Sequence, residues 1–119
     1  MQTALDQADW PLEEGTLGVE VSLFDTDGVT PYTPLTVAWR LTDQNGTVIN
    51  ERDAEALTPA EEVTVVLSGD DLAYDAEVSG ARRQLIVYGT YDSETLGNGV
   101  PFVHLITFQV IPIKGWPAA

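Results

Sequence analysis

The sequence predicts an all-β fold, an antiparallel β-sandwich of about seven strands with a short N-terminal arm and a C-terminal tail, a small barrel being the alternative architecture. Three observations carry that expectation. Short runs with an apolar residue at every second position recur along the chain. Clusters of Gly, Pro, Asn and Asp separate them at intervals of roughly ten residues, the spacing of small all-β domains. No stretch keeps the 3.6-residue period of a long helix. The arm is placed at residues 1–14, the sandwich at 15–113 and the tail at 114–119.

In chain order, residues 1–14 show no clean period, and Pro11 followed by Glu13 and Glu14 interrupts any helix begun near Thr3. An arm or a first edge strand is expected, with Trp10 as its bulky anchor. Leu17, Val19, Val21 and Leu23 then alternate with Gly18, Glu20, Ser22 and Phe24, which reads as a half-buried strand. Asp25-Thr26-Asp27-Gly28 ends it with turn chemistry, and Pro31 and Pro34 extend the loop. Leu35, Val37, Trp39 and Leu41 share one face of the next strand, which puts Trp39 in the core. Asn45-Gly46 closes a hairpin into a strand over 47–50. The stretch 51–62 is polar; a seventh strand is expected near residues 1–14 or 50–57, and Thr58-Pro59-Ala60-Glu61 has the pattern of one capped helical turn.

Val63, Val65 and Leu67 mark another strand, after which Leu72 and Tyr74 are expected to plug the end of the core beneath a loop. The longest signal is the pair of runs 84–91 and 100–110, joined through Asp92, Ser93, Gly97, Asn98 and Gly99. Both runs are apolar at odd and even positions, so strands covered on both faces are expected.

Composition narrows the function. A chain of 119 residues is one domain, and without cysteine it has no disulfide, thiolate nucleophile or zinc-thiolate site. With 44% hydrophobic and 20% charged residues it is globular. Its 19 acidic and 5 basic residues give a net charge of −14, which repels nucleic acid and anionic membrane surfaces. A cationic partner or a metal ion suits that field better. The first residues carry no secretory signal pattern and no run spans a bilayer, so synthesis in the cytoplasm is expected.

Catalytic motifs are missing. His104, the single histidine, sits between Val103 and Leu105 in a strand pattern, where a packed ring is the common outcome. Ser22, Ser68, Ser79 and Ser93 lack a nucleophile-elbow context, and no phosphate-binding glycine loop is present. The chain is therefore read as a non-enzyme with no cofactor.

A resemblance sharpens this. The run Phe24-Asp25-Thr26-Asp27-Gly28, the stretch from Leu35-Thr36-Val37-Ala38-Trp39-Arg40 through Asn45-Gly46-Thr47-Val48-Ile49-Asn50, the run Val65-Val66-Leu67-Ser68-Gly69-Asp70-Asp71-Leu72, and residues 85–96 resemble small tailed-bacteriophage virion proteins with an immunoglobulin-like sandwich. The likeness covers residues 17–112. It implies a structural module of the particle, such as a head decoration, neck or tail accessory protein, made in the host cytoplasm and binding other virion proteins or itself. It carries no enzymatic residues.

Two sets of residues are singled out for binding. In an immunoglobulin-type sandwich the loop after the second strand and the last hairpin loop share one end. That brings Asp25 and Asp27 toward Asp92 and Glu94, a weak oxygen-ligand set for calcium set against ordinary turn chemistry. Trp10 and Leu12 in the arm and Trp116 in the tail are the candidate interface anchors, because Trp is enriched where interfaces bury pockets. The rival function is a carbohydrate- or cell-surface-binding sandwich domain, calcium dependent or not, which requires an exposed platform of Trp or Tyr.

Overall fold

The computed structural model describes residues 2–5, 10–73 and 82–111. Among them lie strands β1 (Gln2–Ala4), β2 (Thr16–Ser22), β3 (Thr36–Asp43), β4 (Glu55–Ala56), β5 (Glu62–Ser68), β6 (Arg82–Ser93) and β7 (Gly97–Gln109). A short 3-10 helix, Gly69–Leu72, follows β5. One sheet has the order β1-β7-β6-β3-β4, and β2 and β5 form the other. The two pack face to face as a β-sandwich, with one departure from the antiparallel expectation: β1 runs parallel to β7, with Gln2 opposite Leu105.

Alternation builds the core. Val19, Val21 and Leu23 from β2 and its end meet Val63, Val65 and Leu67 from β5. Across from them lie Val37, Trp39 and Leu41 of β3, Leu85 and Val87 of β6, and Phe102, Ile106 and Phe108 of β7. Each such side chain contributes about 1.5 to 3 kcal/mol on burial. Leu72 is fully buried and plugs one end, while Tyr74 lies outside the described residues.

Residues before the sandwich are stitched to it. Leu12 forms a parallel bridge with Ile111, Glu13 donates its N–H to Ile111 at 2.9 Å, and Ile111 donates to Pro11 at 2.8 Å. The arm is therefore an edge strand plus a laced strap over its described length.

Four local expectations are corrected. Leu35 is 53% exposed: it stands just before the β3–β6 ladder, which begins at Thr36, and joins it only through its N–H to the Thr90 carbonyl at 2.8 Å. The strand over 47–50 shrinks to one bridge, Thr42 to Val48. There the Asp43 carboxylate takes the N–H groups of Asn45 and Thr47, and Gly46 turns at φ +87. Asn50 and Glu51 then adopt positive φ (52 and 58), which curls the chain off the edge until β4 resumes it. Residues 58–61 form no helical turn, since Leu57 donates to Val37 and packs with Ala60 on the core, holding the segment extended.

The fourth correction bears on function. β6 and β7 bury only one face; the side chains of Ile86, Tyr88 and Leu105 on the other face are half-buried, and Val103 is 54% exposed. The β2–β5 sheet covers one side, and among the described residues no second sheet lies over the other. At Gly89 the ladder is so close that an added Cβ would meet the Thr36 carbonyl oxygen at 1.9 Å, so the β3–β6 pairing requires glycine there.

Candidate functional site

The loops holding the four acidic candidates do share one end of the sandwich, and hydrogen bonds join them. Asp25 accepts from Ser93 Oγ at 2.9 and 3.0 Å, Tyr91 Oη at 3.1 Å, and the N–H groups of Thr26 at 2.7 Å and Glu94 at 3.3 Å. The Thr26 N–H does most to hold the Asp25 carboxyl below the usual carboxylate range; partial burial opposes it, and Ser93 and Tyr91 add to it. Asp27 is held low mainly by the Thr30 hydroxyl at 2.6 Å, with the N–H groups of Thr30 and Val29. Asp92 accepts from Gly99 N–H at 3.0 Å. Glu94 enters through its backbone alone. The carboxylate oxygens thus point at O–H and N–H donors, and among the described residues no three His, Cys, Asp or Glu gather.

Behind this seam Tyr32 stacks on Tyr91 with centroids 3.9 Å apart, and Phe102 meets both edge-on. Burial pushes the Tyr32 hydroxyl up to about 12, so it stays neutral. Both tyrosines and Trp39 are buried, so none offers a sugar platform. His104 packs its ring against Phe102 at 6.0 Å, and burial lowers its pKa, leaving it neutral at pH 7.

Of the interface candidates, Trp10 is half-buried against the core and donates its indole N–H to the Leu5 carbonyl at 3.1 Å. Leu12 is exposed. Trp116 lies outside the described residues.

Sequence reading missed a buried ionic node at the opposite end. Asp71, fully buried, accepts from Arg52 Nε at 2.8 Å, Asn50 Nδ2 at 2.9 Å and the Ser68 N–H at 3.1 Å. Burial alone would raise its pKa; the hydrogen bonds from Arg52, Asn50 and Ser68 win and hold it low. Arg52 also lies over the Trp39 ring, 5.5 Å from its centroid, and reaches Glu55 at 3.4 Å. The three-residue spacing of Ser68 and Asp71 is a capping signal; the distant partner Arg52 had none.

The surface that stands out is the uncovered face of the larger sheet. Strand register sets its rows: Gln84 beside Thr107 and Thr42, Ile86 beside Leu105 and Arg40, Tyr88 beside Val103 and Ala38, Thr90 beside Pro101 and Thr36. Ala56 extends the Tyr88 row through its pairing with Ala38. None of these rows contains a carboxylate, in a chain with 19 acidic residues. Arg40 is the charge within them, and it pairs with Asp53 at the rim at 3.4 Å. An apolar centre whose charges are confined to its rim is the anatomy of a protein contact surface.

No known protein family, curated protein or solved structure matches this chain.

Proposed function

We propose that the protein is a non-enzymatic interaction module that binds other proteins through the uncovered face of its five-stranded sheet, and that it serves as a component of a bacteriophage particle. The observation that carries the reading is the carboxylate-free patch of Ile86, Tyr88, Val103 and Leu105 on a molecule of net charge −14. Random placement would put only about two acidic residues in these rows; having none there keeps desolvation inexpensive when a partner covers them. The placement in a particle rests on the likeness of the strand and turn runs to small virion proteins. The sheet order β7-β6-β3-β4, with β2 and β5 opposite, supports an immunoglobulin-like sandwich.

The test uses Tyr88→Lys, expected to leave the fold intact and exclude the protein from purified particles. Wild-type protein absent from particles would defeat the virion placement. Undiminished incorporation of Tyr88→Lys would defeat the contact face.

A further inference from the structure

A second feature is independent of that face. β2 pairs only with β5 among the described residues, so its other edge borders no strand. Leu23 donates its N–H to Glu61 at 2.9 Å, and in an antiparallel ladder alternate residues bond to the same side. Val21, Val19 and Leu17 therefore face β5 with their backbone groups, while those of Gly18, Glu20 and Ser22 point outward. Beside this edge a groove runs along the seam between the sheets. Its first part, about 160 Å³, lies between Val19 and Val21 on one side and His104 and Ile106 on the other. It continues past Ser22 and His104 into a cleft of about 410 Å³ lined by Phe24 and Phe102.

We infer that the edge of β2 accepts an extended, basic segment of another protein as an added third strand of the β2–β5 sheet. Main-chain bonds to Gly18, Glu20 and Ser22 would hold the segment, and its alternate side chains would fill the seam groove. Charge selects the occupant. The water-facing side of this sheet carries Glu20 and Glu62, so a second copy pairing edge to edge would bring Glu20 toward Glu20, which is repulsive. Lysine or arginine at the outward positions of the segment instead neighbours Glu20, with Glu62 one strand further adding to the negative field.

The experiment titrates the isotope-labelled full chain with an eight-residue peptide alternating valine with lysine, followed by NMR. The expected result is saturable shifts centred on the amides of Gly18, Glu20 and Ser22. Binding should weaken at least tenfold when glutamate replaces lysine in the peptide, or when the peptide is N-methylated along its bonding edge. Because those changes sit on the peptide, the protein's own stability is not in play. Absence of saturable shifts at millimolar peptide, or equal binding by the N-methylated peptide, would overturn the inference. Shifts at these amides that depend on the protein's own concentration, without peptide, would assign the edge to a second copy and overturn it too.

Discussion

The two outward faces of the sandwich differ in kind. The β2–β5 face shows Thr16, Gly18, Glu20 and Ser22 beside Ser68, Val66, Thr64 and Glu62, a mixed polar surface suited to water. The β7-β6-β3 face shows Ile86, Tyr88, Val103, Leu105 and Ala38 with no carboxylate in these rows, Asp92 lying beyond them at the hairpin end. Both sheets bury the same kind of inner face, so stability does not require the difference. It teaches that charge in this acidic chain is distributed by face, with one sheet left compatible with desolvation by a partner.

The comparison assumes that both faces stand on one shared core, and the largest expected effect tests that. Trp39→Ala should cost about 3 to 5 kcal/mol, since the ring is 6% exposed and lies under Arg52. In thermal unfolding this is a fall of roughly 10 to 25 °C, at about 3 to 5 °C per kcal/mol for a domain of this size. A fall of only a few degrees would mean that the larger sheet is not anchored through Trp39.

Asp71→Ala comes next, at about 3 kcal/mol, because it strands Arg52 beside the core. The sign with pH follows from its lowered pKa. Its contribution is fully present above the unfolded value near 4 and is lost as pH falls through the lower folded value. Wild type and Asp71→Ala should therefore differ most at neutral pH and converge in acid, as measured by denaturant unfolding at several pH values. A gap that widens toward acid would contradict this role.

How far these features were legible in sequence depends on their range. Period-two runs such as Val63, Val65 and Leu67 report a buried face directly, and the buried alternation of β2, β3 and β5 follows them. The apolar positions of β6 and β7 misled, because Ile86 and Leu105 are apolar although, among the described residues, no second sheet covers them. The Asp43 turn was readable, but the positive φ at Asn50 and Glu51 that breaks the following strand was not, since neither residue type demands it. The meeting of Asp25 with Ser93 was expected only as a shared loop end. That hydroxyl and amide donors take up the Asp25 carboxylate depends on a register 68 residues away in sequence.

The smallest effect on stability sharpens the comparison most. Tyr88→Lys and Thr64→Lys each add a lysine to an outward position, one on each face, and each should change stability by no more than about 1 kcal/mol in denaturant melts. A much larger loss for Tyr88→Lys would show that the open face supports the fold itself.

The most direct measurement places a photo-crosslinking amino acid at position 88 or at position 64 of the full chain in the cells that produce it, and irradiates them. Contact through the apolar rows of the larger sheet predicts a discrete protein adduct from position 88 that position 64, which only a segment added at the β2 edge approaches, does not give. Adducts from position 64 alone, or equal adducts from both, would contradict the assignment of that face as the contact surface.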